Sequence, residues 1–375
     1  MKNKIIYIIK NETVLSVAVM LAVISAFFVK PDMEYPGYID FRTLSLLFCL
    51  MAVMAGLQKT GVFRMTAEKM LQRIHSVRGL SFILIMLCFF FSMLVTNDVA
   101  LITFVPFTFV ILDMTGGEAK DKLIIRTIVM QTVAANLGSM LTPIGNPQNL
   151  YLHGISGMGV GEFMMLMLPY TAASFLLLAV WTVLRNKKTE IKVSLESVTR
   201  ITEKPRTAVY AALFLLCLAT VGPIVDYRIT LLVVIAVLAV TDYKIFARVD
   251  YTLLLTFIAF FVFIGNMGRV SVFSDYISSV IGGRECITGI LSSQLISNVP
   301  AALLLSGFTD NLKPLIVGVN LGGLGTLIAS MASLISFKFV GRENKALRGK
   351  YLLYFTAVNV VFLIILLALY YVIGY

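Results

Sequence analysis

Charge is scarce in this sequence. Only 14% of its 375 residues are Asp, Glu, Lys or Arg, against roughly 25% in a soluble domain. That shortage excludes a water-facing globule of this size and makes lipid the solvent for most of the surface. Histidine and cysteine are sparse as well. His75 and His153 stand alone, which argues against a histidine-built metal centre. Cys49, Cys88, Cys217 and Cys286 lie far apart, the first three inside apolar runs, so neither a zinc spacing nor a disulfide framework is present. The chain has no His-Glu-x-x-His, nucleophile elbow or P-loop. ATP-driven pumping by this chain alone and the common hydrolase chemistries therefore lack support. A non-enzyme is expected, with no cofactor beyond a coupling ion. A leader pattern is missing too: after Met1-Lys2-Asn3-Lys4 the apolar stretch is long and ends without a small-residue cleavage site, so it reads as a retained helix.

What is abundant is apolar length. Hydrophobic residues make up 59% of the chain and the mean hydropathy is +0.91. A membrane span takes about 20 apolar residues. Candidates lie near 12–30, 43–58, 124–157, 159–184, 206–222, 229–241, 251–268, 314–336 and 351–374. The stretch 124–157 is too long for one helix and is interrupted. Two more stretches, 79–112 and 276–309, are each broken in the middle by polar residues and read as re-entrant hairpins. The expected fold is an all-α polytopic membrane protein with about nine crossing helices, two re-entrant hairpins and two broken helices.

The net charge of +11 fits this topology better than a nucleic-acid partner, and none is expected. With the N-terminus, 59–78, 113–126, 185–206, 242–250 and 337–350 assigned to the cytoplasm, that side holds 25 Lys/Arg and 11 Asp/Glu, and the other side 6 and 8. Such an excess is what the positive-inside rule demands. It puts the N-terminus in the cytoplasm and the C-terminus outside, in the inner membrane of a prokaryote. An even number of crossings at each hairpin satisfies it equally.

The sequence repeats itself. Asp40-Phe41 matches Asp250-Tyr251, Val62-Phe63 matches Val272-Phe273, and Lys59 falls on Arg269. Thr96-Asn97-Asp98-Val99-Ala100 matches Ser297-Asn298-Val299-Pro300-Ala301. The run from Asn136 to Asn149 aligns without gaps on Asn320 to Ser333, with five identities. Three blocks in the same order argue for a duplication: repeat one over 1–184, a basic linker over 185–206, repeat two over 207–375. The assigned topology opens one hairpin from each side, so the two repeats are inverted. Inverted repeats with helices broken near the midplane are a design of secondary transporters.

The chemistry collects where the helices break. Pro143, Gly145 and Pro147 must interrupt 142–148, and Gly322, Gly323 and Gly325 can interrupt the matching segment. Freed carbonyls there suit a hard cation such as Na⁺, and freed N–H groups suit an anion. Candidate substrate- and ion-binding side chains are Thr96, Asn97, Ser297 and Asn298 at the hairpin tips. Thr142, Asn146, Asn149, Thr326, Ser330 and Ser333, with the backbone at Gly145, serve on the broken helices. A Na⁺ site is expected near Asn97, Asp98, Asn146 and Asn298. Asp98 is the one acid placed inside the membrane, where a carboxylate is a functional candidate by default. It would bind the coupling cation, carry a proton or cap the following helix. Its repeat partner is Val299. Pro300 is expected to open the helix after the second tip. The broken regions hold no Arg or Lys, so an anion would be held by dipoles and hydrogen bonds or neutralised by co-bound cations.

At these residues the sequence resembles the ion transporter superfamily, which includes divalent anion/sodium symporters, citrate transporters and arsenite-efflux permeases. Thr96-Asn97-Asp98 and Ser297-Asn298-Val299 take the places of the symporters' Ser-Asn-Thr motifs without matching them fully. The Asn97-Asp98 pair is more similar to the arsenite-permease version. Gly145-Asn146-Pro147-Gln148-Asn149 resembles small bacterial citrate-transporter-like permeases. The resemblance covers nearly the whole chain. It implies a scaffold, a moving transport domain carrying both hairpins, often a homodimer, and cation-coupled (Na⁺ or H⁺) transport of a small inorganic or organic anion or oxyanion. A sodium/proton antiporter or an arsenite-type efflux permease is the alternative.

Overall fold

Apolar runs with a capping residue at their head become helices. Asp40 and Asp250, matched in the repeat, each accept a backbone N–H three residues on, from Thr43 and Leu253. Ser76 does the same for Gly79, and Asn146 for Asn149. Each cap satisfies one of the N–H groups a helix start leaves unpaired.

The computed structural model describes residues 12–72, 74, 76–113, 120–185 and 204–374. The N-terminal segment, His75 and nearly all of the expected linker lie outside them. Among the described residues there are seventeen α-helices and no strand. Repeat one contains α1 (Thr13–Phe28), α2 (Phe41–Lys59), α3 (Val62–Leu71), α4 (Val77–Val95), α5 (Asn97–Asp113), α6 (Lys120–Ser139), α7 (Pro147–Ser156) and α8 (Val160–Arg185). Repeat two contains α9 (Lys204–Val221), α10 (Tyr227–Asp242), α11 (Tyr251–Gly268), α12 (Ser271–Ile281), α13 (Glu285–Ile296), α14 (Asn298–Ser306), α15 (Leu312–Leu321), α16 (Met331–Glu343) and α17 (Arg348–Ile373).

Among the described residues, seven helices are long and apolar enough to cross a membrane by themselves, with shorter apolar helices at Thr13–Phe28, Asn97–Leu112 and Leu312–Leu321. Of the nine expected crossings, six appear as unbroken spans, 12–30 as the shorter Thr13–Phe28 and two as divided pairs; the seventh long helix, Val77–Val95, belongs to the first hairpin. The stretch 124–157 is α6 and α7, divided at 140–146, and 314–336 falls across α15 and α16, divided at 322–330. The first hairpin is α4 and α5, the second α13 and α14. At about 1.5 Å per residue, α13 and α14 with 12 and 9 residues are too short to span. By contrast, α4 with 19 residues is long enough.

Two boundaries differ from expectation. The second hairpin begins at Glu285, because 271–281 folds as a separate helix, α12, with Ile281 as its only buried residue. Residues 62–71, expected as a cytoplasmic connection, form α3. Both short helices are strongly amphipathic and lead from a long helix to a hairpin. Their length hid them, since ten or eleven residues with one apolar face read as loop or hairpin.

Packing sorts the helices into two groups. In one, α11 lies along α1, and α9 and α10 lie on α2. In the other, α4 and α5 clasp α6, α13 and α14 clasp α15, and α16 packs on α5 and α6. The groups meet where α2 touches α7 and where α14 touches α11. The matched basic residues Lys59 and Arg269 each reach an acid of the opposite repeat. Lys59 Nζ lies 2.6 Å from Asp242 Oδ2, which also accepts from the Tyr210 hydroxyl. Arg269 Nη1 lies 2.7 Å from Asp32 Oδ2 and donates to the Tyr38 hydroxyl. The hydrogen bond from Arg269 holds the Asp32 carboxyl below its ordinary range.

The hairpins approach the broken helices at matched glycines. A methyl on Gly138 would lie 2.0 Å from the Phe89 carbonyl oxygen, and one on Gly322 2.6 Å from the Ser293 hydroxyl. Gly138→Ala is therefore expected to destabilise the protein by about 1–3 kcal/mol, since backbone must shift. Gly322→Ala is expected to cost less, because its nearest backbone atom, the Gly318 carbonyl oxygen, is 2.9 Å away rather than 2.0 Å. Thermal unfolding of both variants in detergent checks the ranking, and equal or reversed losses would contradict it.

Candidate functional site

Each hairpin turns on one residue with a left-handed backbone. Thr96 has φ 77° and Ser297 φ 75°, with ψ at 150° and 154°. Such a conformation costs a non-glycine residue on the order of 1–3 kcal/mol and persists only where the surroundings enforce it. The enforcing contact is the same in both repeats. The N–H of Asn97 donates to the Gly145 carbonyl at 3.1 Å, and the N–H of Asn298 to the Ala329 carbonyl at 2.9 Å. Each tip is pinned to the break of its own repeat.

A second pair of contacts ties the breaks to the hairpins. Thr142 Oγ1 donates to the Met93 carbonyl and Thr326 Oγ1 to the Gln294 carbonyl. The threonines are identical in the repeat alignment, and both acceptors stand three residues before a tip. The freed carbonyls are met differently. In repeat one, Asn149 Nδ2 lies within hydrogen-bonding distance of the carbonyls of Ser139, Met140 and Thr142. In repeat two Ser333 stands at that position and is too short. Gln294 does the work from the hairpin, donating to the carbonyls of Gly322 and Leu324 and accepting from the Thr326 N–H.

The repeats are joined by two asparagines that the sequence reading left out of the site. Asn136 accepts from Asn97 Nδ2 and Ser330 Oγ, and donates to the Gly323 carbonyl and Ser333 Oγ. Its partner Asn320 accepts from Asn146 Nδ2 and donates to Asn149 Oδ1 at 2.7 Å. Each reaches the same two aligned positions of the other repeat. Both are nearly inaccessible, 4% and 2% exposed. The signal was available: they head the longest repeated block. Gln294 was legible only as a polar residue on a short apolar helix.

Between the tips and the head of α11 lies a cavity of about 20 Å³, room for about one water-sized particle. It is lined by Asn97, Asp98, Pro147, Gln148, Asp250, Leu253, Asn298, Val299, Ser330 and Met331. Of the expected site residues, the structure thus brings Asn97, Asp98, Asn298 and Ser330 to one space. Thr96, Gly145 and Ser297 shape the tips and their pins. Thr142, Asn146, Asn149, Thr326 and Ser333 bond within the framework. Pro143 lies within the first break and Pro147 opens the helix after it, and Gly322, Gly323 and Gly325 (φ 112°) lie in the second. Pro300 stands third rather than first in α14, still within the turn whose N–H groups lack helical partners.

The Asp98 carboxylate does not cap α5. Asn97 Oδ1 accepts the Asp98 N–H and Thr96 Oγ1 lies 3.5 Å from the Val99 N–H, while Asp98 Oδ1 is buried without a hydrogen-bond partner. Gln148 and Asp250, missed by the sequence reading, also face the cavity. Neither Lys nor Arg lines it, and no cluster of metal-ligating His, Cys, Asp or Glu occurs among the described residues. The arrangement can coordinate a small cation by oxygen ligands or offer hydrogen bonds to a small polar molecule.

A multi-pass helical membrane protein with a polar, broken-helix centre is the class that fold and site define. Comparison with known proteins narrows it. Residues 5–314 match the family described as "Citrate transporter". An uncharacterized transporter of Methanocaldococcus jannaschii is 34% identical over 90% of this chain and 91% of its own. The inner membrane protein YbiR of Escherichia coli is 30% identical over 81% of each. A silicon efflux transporter of Oryza sativa is 31% identical over 35% of this chain and 26% of its own. The chain belongs to the citrate transporter family and is a membrane transporter.

Asn320→Ala would strand Asn149 Oδ1 in a buried site and leave Asn146 Nδ2 with only its bond to Ser139 Oγ. The expected loss is about 1–3 kcal/mol of stability, together with loss of transport in reconstituted vesicles. An unchanged melting temperature in detergent would show that the asparagine bridge does not hold the repeats.

Proposed function

We propose that this protein is a cation-coupled secondary active transporter of a small inorganic or organic anion or oxyanion, working by alternating access with Na⁺ or H⁺ as the coupling ion. The supporting observation is the convergence of both hairpin tips and both broken-helix segments on one small cavity that holds an unpartnered carboxylate oxygen. A site assembled from both repeats can be exposed to either side by rocking one helix group against the other. The family name supports an anion as cargo. With no cationic side chain on the cavity wall, the anion would be held by amide groups, helix N-termini and the co-bound cation. An inner-membrane location, with the N-terminus in the cytoplasm and the C-terminus outside, and a homodimer belong to the same reading.

One observation favours a second reading, a sodium/proton antiporter or an arsenite-type efflux permease. The cavity wall carries two acids, Asp98 and Asp250, and no base, which suits a cation or an uncharged acid better than a free anion. The partial likeness to a silicon efflux transporter points the same way.

Proteoliposomes with Na⁺ and pH gradients imposed separately test the reading. The expected result is saturable anion flux that follows one of the two gradients. If imposed Na⁺ moves only protons and no anion, the second reading replaces the first. Asp98→Asn is expected to fold and to lower gradient-driven flux at least about tenfold, because a neutral amide cannot exchange charge with the coupling ion. Unchanged ion dependence in that variant would remove Asp98 from coupling.

A further inference from the structure

Away from the polar centre, α3, α4 and α8 enclose a groove whose lining residues are all apolar. Ile83, Met86 and Leu87 of α4 form its floor, and Phe90 of α4 meets Phe175 of α8 at 6.0 Å. Met70 of α3 also lines it. Only residues 72–76 separate α3 from α4, so Met70 lies near the head of α4. The floor is recessed, with Met86 and Leu87 4% and 2% exposed, while Met70 and Phe90 on the rim are 42% and 50% exposed. The volume is about 270 Å³, many times the 10–15 Å³ that one water needs. From Phe82 to Phe90 the groove follows α4 for about 12 Å. Helix packing usually closes such spaces. A long slot with an apolar wall and an open side is shaped for a hydrocarbon chain.

Charge gathers at one end of the groove. Residues 59–78 carry five Lys or Arg and one acid. Lys69 precedes Met70, is exposed, and has no ion pair among the described residues. Arg78 stands in the first turn of α4, four residues before Phe82, and so on the same face of that helix. The other repeat shows that the fold does not need these bases. There α12 takes the place of α3, and Ser274 and Ser279 stand where repeat one has Arg64 and Lys69. The helix α12 holds Asp275 and no base. Arg64 is bound to Glu68 one turn on, which leaves Lys69 as the base of α3 without a local acid.

We propose that this groove binds one acyl chain of an anionic phospholipid, with Lys69 and Arg78 meeting the headgroup phosphate. The apolar wall takes the chain and the basic end takes the charge. Basic residues placed just beyond a membrane helix are the usual recognition device for such lipids. A lysine stem can lie along the apolar rim while its ammonium reaches the headgroup. A second copy of this chain would cover the apolar wall but would leave the basic end without an anion. The site bears on the first hairpin directly. The helix α3 leads from α2 to that hairpin, and α4 is the hairpin's first arm, so a lipid in the groove braces the arm at its base. The inference is independent of the cargo and of the coupling ion.

The test is native mass spectrometry of the delipidated full-length protein, titrated with dioleoylphosphatidylglycerol or with dioleoylphosphatidylcholine. Wild type is expected to hold one phosphatidylglycerol saturably, at least about tenfold more tightly than phosphatidylcholine, through two basic contacts. Lys69→Gln is expected to weaken phosphatidylglycerol about fivefold, the share of one lysine near an anionic headgroup, and to leave phosphatidylcholine unchanged. Lys244→Gln is the control. Lys244 is exposed and does not line the groove, so its affinities should match wild type. Ile83→Trp fills the groove and is expected to weaken both lipids at least about tenfold. Met70→Trp, on the exposed rim, does the same should Ile83→Trp fail to fold. Equal affinity for the two lipids in wild type would mean an ordinary boundary lipid only and would overturn the site. Equal losses in Lys69→Gln and Lys244→Gln would overturn it as well, since general surface charge would then be the cause. If the tryptophan variants convert a dimer to a monomer while lipid binding persists, the face is an interface between copies and the lipid site falls.

Discussion

A helix that stops in the middle of a bilayer leaves backbone donors and acceptors with no water to bond, at several kcal/mol per unsatisfied group. This protein stops four helices in that way, two at hairpin tips and two at breaks. Tip and break in each repeat answer one another: the tip's first helical N–H takes a carbonyl of the break, and the break's threonine takes a carbonyl of the hairpin. Neither element could exist alone. The strained backbone at Thr96 and Ser297 is stable because the partner segment supplies the acceptor that rewards it.

From that mutual dependence the rest of the centre follows. Two tip–break units must be held face to face, and Asn136 and Asn320 hold them by reaching across the pseudo-symmetry axis. An asparagine suits the task because one side chain both donates and accepts, and because it is neutral, so no ion is buried in the framework. The glycines at 138 and 322 let the hairpins approach closely enough for these bonds to form. The outer helices carry a looser version of the same device in the matched ion pairs of Lys59 and Arg269, each fixing the head of the opposite repeat.

Much of this was legible in the residues. Long apolar runs fixed where the helices lie, because a span of lipid leaves few alternatives. Prolines and glycines marked the breaks, and the repeat tied each break to a tip. What could not be read was reach. Nothing local distinguishes Asn136, which crosses to the other repeat, from Asn149, which serves its own. Gln148 passed as one member of the Gly145–Asn149 run, and Asp250 as the repeat partner of Asp40. Whether a side chain faces a cavity or a neighbour depends on the packing of segments more than a hundred residues apart. The amphipathic α3 and α12 were missed for a plainer reason: their apolar faces are too short to register as spans.

The two repeats agree where the task is structural and differ where a ligand would sit. Thr142 and Thr326, Asn136 and Asn320, and Gly138 and Gly322 are identical pairs, and each pair makes closely similar contacts. Where one pair has diverged, as Asn149 and Ser333 have, Gln294 restores the lost hydrogen bonds from another helix. No such restoration occurs at the cavity. Asp98 is matched by Val299 and Gln148 by Ala332 in the repeat alignment. Divergence that is compensated preserves a framework, and divergence that is left uncompensated creates a difference. A duplicated membrane protein with two equal half-sites would hold one ligand the same way from either end. Here repeat one brings Asn97, Asp98 and Gln148 to the cavity, and repeat two brings Asp250, Asn298 and Ser330. In the proposed alternating access, the symmetry of the framework would permit two access states, and the asymmetry of the cavity would give a ligand one set of partners in both.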